Sequence, residues 1–328
     1  MPMLFILRMK KMEKMVRKLL ENRVAIISGG ARGIGKAISI SLAKQGCNII
    51  IIDPGYSIDG KKIENKNISN ETAEKISYEY RVNAKSYPTD ITRYQEVKNI
   101  FQETKESFGT IDIIVNNAAV LRDSFIFKLE EKNWKKVIET NLSGSFNLIS
   151  CGSKIMREHK KANEEYSAGR ILYIISSSGI WGNYGQAAYA SAKAGLIALT
   201  KVTALDLRRS QIQCNAIAPF GSTRVTESII PQNAEQKKYK NTALKIKSSY
   251  VGELASVLAG DSGKNITGQI FGVRGKEVFI FNNANPVYTH TRDSDNINDL
   301  EKEIKDNFTR HLDPLKTDLE VFSSDPIL

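Results

Sequence analysis

Tyr189 and Lys193 stand four residues apart in a Tyr-Ala-Ser-Ala-Lys run, and Ser176 lies thirteen residues before the tyrosine. On a helix, positions i and i+4 share a face, so a lysine ammonium beside a phenol favours the phenolate form. A free phenol titrates near ~10, and a neighbouring cation brings it toward the pH at which a general acid/base works. Ser177 and Ser178 compete with Ser176 for a role at the same place. Hydroxyls at such positions ordinarily serve as hydrogen-bond partners at a strand end. A tyrosine and a lysine at this spacing also occur as a plain helix-surface pair, so the meaning of this pair depends on its surroundings.

A second group is the run Ser28-Gly29-Gly30-Ala31-Arg32-Gly33-Ile34-Gly35, which follows an apolar strand-like run and opens a helical one. Gly29 and Gly33 can adopt backbone angles closed to other residues, and Gly35 permits close helix–sheet packing. The helix N-terminus that follows presents N–H groups and a positive dipole to a pyrophosphate. Asp53 ends the next strand-like run, where a carboxylate can accept both hydroxyls of an adenosine ribose and repel a 2′-phosphate. That favours NAD. Arg32 pulls toward NADP, because a guanidinium can pair with a 2′-phosphate. Asp53 is given the greater weight, so NAD is the expected cofactor and NADP the alternative.

The elements that must hold these groups are legible as alternating patterns. Residues 24–28, 48–52, 111–115 and 171–175 are short Ile/Val-rich runs bounded by Gly, Asn, Asp or Ser, as expected of strands buried on both faces. Segments 34–45, 69–80, 94–108 and 134–156 carry helical periodicity, and a helix is expected to continue through 194–207. Residues 212–219 and 269–273 read as two further strands, the second the last. This alternation predicts an α/β fold with a single doubly wound parallel sheet flanked by helices and joined by right-handed crossovers. Residues 53–70 and 159–169 read as long surface loops. The expected organisation is a basic N-terminal extension over 1–20, a main domain over 21–290 and an acidic C-terminal extension over 291–328.

The chain has 328 residues, 25% charged and 41% hydrophobic, which suits one large α/β domain with additions. No apolar run approaches the ~18 residues of a membrane helix. The net charge of +11 is unevenly spread: residues 1–20 carry six Lys/Arg against one Glu, and residues 291–328 carry five against ten Asp/Glu. No recognition motif accompanies the charge, so nucleic-acid binding is not expected, and a phosphate-bearing cofactor or an acidic thioester carrier suits it better. Basic residues follow the short apolar start and no cleavage site does, so the cytoplasm is the expected compartment. Met9, Met12 and Met15 leave open a later start of translation. Cys47, Cys151 and Cys214 lack metal-ligand spacing and read as packing residues, and His159, His290 and His311 are scattered. No metal site is expected.

From about residue 23 to 273 the chain resembles the short-chain dehydrogenase/reductase family, whose fold is of the Rossmann type. The glycine run corresponds to that family's TGxxxGxG, and Asp90-Ile91 resembles its adenine-contacting Asp after the third strand. Asn116-Asn117-Ala118-Ala119 resembles NNAG, and Asn141, Ser176, Tyr189 and Lys193 match four catalytic positions in order. Cofactor contacts are carried over to Ser28, Gly29, Arg32, Gly33, Ile34, Gly35, Asp53, Asp90, Ile91, Asn117, Ala118, Ala119, Tyr189, Lys193, Pro219 and Thr223. The resemblance implies that Ser176 holds the substrate oxygen and Tyr189 exchanges a proton with it. Lys193 would hold the nicotinamide ribose, and Asn141 would fix a water that links Lys193 to solvent. Three residues depart from the pattern: Ser28 for threonine, Ala119 for glycine, and Phe220 for the glycine after Pro219.

The loop after Asp53 and the runs VLRDSF, SSGIWGNYGQAAY and IAPFGSTRVTES are similar to the dehydrogenase domain of peroxisomal multifunctional enzymes and related bacterial proteins, which act on (3R)-hydroxyacyl-CoA. Asn141 departs from that branch, where histidine often stands, and agrees with ketoacyl reductases. The expected activity is therefore NAD-dependent oxidation of a secondary alcohol, a 3-hydroxyacyl thioester, or the reverse. The alternatives are an NADP-dependent ketoacyl or small-ketone reductase and a catalytically quiet NAD-binding sensor. Residues 222–249 are expected to close over substrate as a lid, with a surface helix pair as the plainer reading. The family also implies a homo-oligomer, dimer or tetramer, paired through 134–156 and 189–207, where Ala194, Gly195 and Ala198 allow close approach; internal packing is the competing explanation. The C-terminal extension either braces a neighbouring subunit or stays mobile.

Overall fold

A computed structural model describes residues 18–222, 226–227, 231, 234–282, 284–291, 296–322 and 324–328. Its centre is an eight-stranded sheet in the order β3-β2-β1-β4-β5-β6-β7-β8. The strands are β1 (Val24–Ser28), β2 (Asn48–Ile52), β3 (Ala84–Tyr87), β4 (Ile113–Asn116), β5 (Arg170–Ile174), β6 (Gln213–Phe220), β7 (Ile270–Arg274) and β8 (Glu277–Phe281). Successive β-carbons alternate between faces, so Val24 and Ile26 join one core and Ala25 and Ile27 the other. Ile50 and Ile52 pair off against Ile49 and Ile51 in the same way. A strand covered on both sides needs a continuous apolar run, which is why β1 and β2 are so plain in the sequence.

One face is covered by α3 (Tyr94–Phe108), α5 (Gly144–Ala162) and α7 (Ala187–Asp206), and the other by α1 (Gly33–Lys44), α2 (Ile68–Tyr80) and α9 (Ser249–Ala259). Shorter helices complete the order: α4 (Glu131–Ile138), α6 (Ser178–Trp181), α8 (Ala234–Ala243), α10 (Ile297–Asp306) and α11 (Asp318–Val321). No helix among the described residues is long and apolar enough to cross a membrane. Strand order reverses between β1 and β4, and a crevice at the carboxyl ends of the strands opens at such a switch point.

Several elements differ from the sequence pattern. β3 is the polar run Ala-Lys-Ser-Tyr and is recognised as a strand only by its pairing with β2. β8 is an additional antiparallel edge strand, so 269–273 is not the last; Gly275 turns into it with φ +63°. The expected 134–156 helix begins earlier, ends later and is interrupted by a π-turn over Glu139–Ser143. Residues 159–162 belong to α5 and not to a loop. The 53–67 segment is folded back on itself by a Tyr56–Ile63 bridge and by the Ser57 N–H donating to the Lys62 carbonyl at 2.8 Å. Leu20, placed at the end of the N-terminal extension, is fully buried in the core.

Candidate active site

The glycine turn is held shut by side chains from two strand ends. The Ser28 hydroxyl accepts from the Asn117 and Ala118 N–H groups at 3.0 and 3.1 Å. The Asn117 amide donates to the Ser28 and Gly29 carbonyls at 3.2 and 3.0 Å. Serine in place of threonine thus keeps the hydroxyl, and that hydroxyl is spent on closing β1 onto β4. Gly29 has φ +63°, and a β-carbon on Gly35 would collide with the Gly29 carbonyl oxygen. Ser28 and Gly35 are structural members of the turn, while Gly29, Arg32, Gly33 and Ile34 line a cavity of ≈ 780 Å³.

Asp53 closes β2 beside this turn. Its carboxylate accepts from the Gly55 N–H at 2.9 Å and the Ala31 N–H at 3.3 Å, and the residue is buried. Arg32 is not a loose cation. Its guanidinium donates to the Glu64 carboxylate at 2.8 Å and to the Tyr56 carbonyl at 2.5 Å, and lies 3.9 Å from Asp53. Asp90, after β3, accepts from the Thr92 N–H at 3.0 Å and lies 3.5 Å from Lys136. Ile91 is buried against Gly144, and Asp90, Ile91, Asn117, Ala118, Ala119 and Pro219 all border the cavity. Thr223 lies outside the described residues. So do 224–225, 228–230 and 232–233 of the expected lid, whose described part includes α8.

Ser176, Tyr189 and Lys193 line the same cavity. Ser176 follows β5, and α7 carries the tyrosine and lysine one turn apart, with the ammonium 5.6 Å from the phenol ring centroid. Lys193 Nζ donates to the Ile174 carbonyl at 2.7 Å. Burial alone pushes its pKa down to about 8. The Tyr189 phenol is pushed up to about 12, chiefly by burial; its hydrogen bond with Ser176 lowers it and Asp123 raises it. The expected drop driven by Lys193 is absent: the ammonium stands beside the ring and donates to a backbone carbonyl, and burial sets the direction of the shift.

Asn141 sits in the π-turn and is fully buried, away from the cavity wall. Its side chain accepts from the Val120 N–H at 2.8 Å and donates to the Val120 carbonyl at 2.9 Å. It pins the chain just after Ala118-Ala119. Thr140, beside Asn141 in the same π-turn, borders the cavity, and its buried hydroxyl has no hydrogen-bond partner among the described residues.

A chain of hydrogen bonds behind Ser176 was not foreseen. Ser176 Oγ lies 3.3 Å from Ser178 Oγ, which donates to Gln186 at 2.6 Å; Gln186 donates to Asp123 at 2.9 Å. Burial raises the Asp123 pKa. Ser178 is thus hydrogen-bonded to Ser176 through both its hydroxyl and its backbone N–H. The polar Gln186 just before α7 was the available signal, but its partner comes from another loop. Phe220 borders the cavity and packs in an aromatic cluster with Trp181, Phe279 and Phe322. Thr317 and Glu320, from the C-terminal extension, also border the cavity.

The family profile described as short chain dehydrogenase matches residues 23–237. A 3-oxoacyl-(acyl-carrier-protein) reductase FabG of Thermotoga maritima is 32% identical over 259 residues, 78% of this chain and 98% of that protein. Peroxisomal multifunctional enzyme A of Dictyostelium discoideum is 31% identical over 211 residues, 64% of this chain and 45% of that protein. Among solved structures, a short chain dehydrogenase from Mycobacterium avium superposes with a TM-score of 0.77 at 24% identity, covering 91% of this chain and 99% of its own. Carveol dehydrogenase from Mycobacterium avium, solved in complex with NAD, gives 0.68 at 23% identity over 78% of this chain and 97% of its own; both likenesses speak to the fold. With the glycine turn, the switch-point cavity and the serine, tyrosine and lysine gathered in it, the chain belongs to the short chain dehydrogenase family of oxidoreductases.

Proposed function

We propose that this protein is an NAD-dependent dehydrogenase that interconverts a secondary alcohol and its ketone, the substrate being a 3-hydroxyacyl thioester. The observation that carries the reading is that Ser176, Tyr189 and Lys193 share one cavity with the glycine turn and Asp53. The residues fit a dinucleotide: Gly29, Gly33 and Ile34 of the turn line the cavity together with Asp53, Ala118 and Ala119, and Gly29 packs so closely on Ala118 and Asn117 that a β-carbon there would meet them at 2.9 Å. Gly33 and Ile34 bring the N-terminus of α1 to the cavity, where a pyrophosphate is favoured. Asp53 would take the adenosine ribose. The engagement of Arg32 by Glu64 and the Tyr56 carbonyl supports NAD, since a guanidinium so committed is poorly placed to meet a 2′-phosphate.

The chemistry that a bound nicotinamide supplies is hydride transfer to or from the substrate carbon. Ser176, braced by Ser178, Gln186 and Asp123, orients the substrate oxygen. In reduction, the neutral Tyr189 phenol delivers a proton to the oxyanion that develops there, and in oxidation it receives one. A phenol near 12 is fully protonated at neutral pH and is still a far stronger acid than an alcohol. Lys193 holds a positive charge beside the ring at neutral pH and would hold the cofactor ribose. Asn141 keeps Val120, and with it the Ala118-Ala119 wall, in position.

An NADP-dependent 3-ketoacyl reductase is the second reading, favoured by the Thermotoga maritima relative, which the chain matches over nearly its whole length. Absorbance at the nicotinamide band, with NAD or NADP and a panel of hydroxyacyl-CoA, ketoacyl and simple alcohol substrates, separates them. We expect turnover of hydroxyacyl-CoA with NAD. A clear NADP preference overturns the cofactor assignment, and tight NAD binding without turnover of any substrate supports the sensor reading. A homo-oligomer belongs to the same proposal: Phe146 on α5 and Val202 and Leu205 on α7 are exposed at 55, 50 and 70%. Light scattering that finds only a 36.6 kDa species removes it. Cytoplasmic residence is proposed as well, and the free state of Cys47, Cys151 and Cys214 suits a reducing compartment.

A further inference from the structure

The C-terminal extension does not trail from the domain. The Gly275 and Ile327 backbones form a parallel bridge, and the Lys276 N–H donates to the Ile327 carbonyl at 2.8 Å. Gly275 admits this approach because a β-carbon there would collide with that carbonyl. Arg274, itself buried, places its guanidinium 4.2 Å from the centre of the Phe322 ring and donates to Ser324 at 3.2 Å. Asp325 lies 3.1 Å from Lys238 of α8. The Phe322 ring meets Phe220, Phe279 and Trp181 edge-on, with centroids at 5.2, 5.7 and 6.0 Å. Aromatic contacts of this geometry are worth about 0.5–1.5 kcal/mol each beyond area burial.

These tethers converge on the reacting end of the cavity. Trp181 ends the short helix that begins at Ser178, and Phe220 follows Pro219 at the end of β6. Thr317 and Glu320 border the same cavity as Ser176 and Tyr189, and the Thr317 N–H and hydroxyl both contact Glu320 Oε2, at 2.7 and 2.9 Å. A glycine at position 220 would leave Phe322 without its nearest ring. Phe220 and the extension are thus two halves of one feature.

We propose that residues 317–322 and 324–327 form an integral wall of the substrate site, seated through Phe322 on Phe220 and Trp181, and that this wall limits the size of the substrate accepted. The proposal rests on the assignment of the Ser176–Tyr189 end as the substrate side. Phe220 supplies an apolar side of this pocket and Thr317 and Glu320 a polar one, and a pocket of bounded length discriminates by about tenfold or more per methylene that its apolar side cannot hold. Removing the wall therefore relaxes discrimination between short and long substrates and leaves the nucleotide end untouched.

Two experiments test it on the full chain. In a Trp134→Phe background Trp181 is the remaining tryptophan. Phe322→Ala is expected to shift its emission to the red and increase acrylamide quenching about twofold; unchanged quenching overturns the docking of the tail. The second compares kcat/KM over a homologous acyl-CoA series in the wild type and in a variant ending at Lys316, with circular dichroism and the NAD Kd confirming that the variant is folded. The long-to-short ratio is expected to rise about tenfold at constant NAD Kd. A ratio that stays the same in the folded variant overturns the wall. If the wild type turns over no thioester, the substrate reading fails by itself, and the same series is run with secondary alcohols of increasing length.

Discussion

Replacing Lys193 with methionine separates what the ammonium does for the fold from what it does for the reaction. Lys193 is 2% exposed, and burial lowers its pKa from the ordinary 10.5 to about 8. At about 1.4 kcal/mol per pH unit, that interval corresponds to an ammonium disfavoured by about 3 kcal/mol in the folded chain. The folded-state value lies below the unfolded one, so between about 8 and 10.5 the unfolded chain binds more protons and wild-type stability rises with pH. Below about 8 the full penalty is present; above 10.5 it is gone. Methionine fills a similar volume without charge. It leaves the Ile174 carbonyl, 2.7 Å from Nζ, without this donor, a pH-independent loss of about 1–3 kcal/mol.

Near pH 7 the variant should therefore be as stable as the wild type or up to about 2 kcal/mol more stable. Its relative advantage should then shrink by about 2 kcal/mol between pH 8 and 9.5, whatever the size of the fixed loss. Urea unfolding of both proteins without nucleotide, at intervals from pH 7 to 9.5 and with m-values compared, measures this directly. A difference between the two proteins that does not change with pH refutes the claim that a buried, charged Lys193 destabilises the fold. The same substitution should abolish turnover, which would show stability given up for the site.

Tyr189→Phe should lower kcat by about 10²–10⁴ while leaving the NAD Kd unchanged, and stopped-flow turnover equal to wild type would remove the tyrosine from the proton step. Glu64→Gln weakens the hold on Arg32, so the ratio of kcat/KM for NADP to that for NAD should rise about tenfold; an unaltered ratio shows that Glu64 does not bear on cofactor choice. Gln186→Leu breaks the link between Ser178 and Asp123, and should lower kcat about tenfold with little change in the NAD Kd. A variant that loses NAD affinity and keeps kcat would place Gln186 elsewhere in the function.

The reach of the sequence and its limit are both seen in particular residues. β1 and β2 were legible because burial on two faces demands unbroken Ile and Val, and the glycine turn because strand, glycines and helix follow one another without a gap. The order of Asn141, Ser176, Tyr189 and Lys193 was enough to name the family and the chemistry. β3 was not legible, because it is a polar run and is a strand through its pairing with β2, whereas β8 is a five-residue Val/Ile/Phe-rich run whose antiparallel place on β7 is set by the Gly275 turn. The partners of two site residues also lay beyond the sequence: the Asn141 amide is held by Val120, and the Arg32 guanidinium by Glu64. Phe220 read as a departure from the glycine after Pro219 and is in place the seat of Phe322.

What the residues determined by themselves was the local burial pattern and the kinds of chemical group available, because strand and helix periods and glycine conformations are properties of neighbours in the chain. What only the tertiary structure decided was which distant segment completes each group. Partners such as Asp123 for Gln186, Glu64 for Arg32 and the C-terminal residues for Phe220 are brought together by the packing of the whole sheet, and no short-range pattern encodes that meeting.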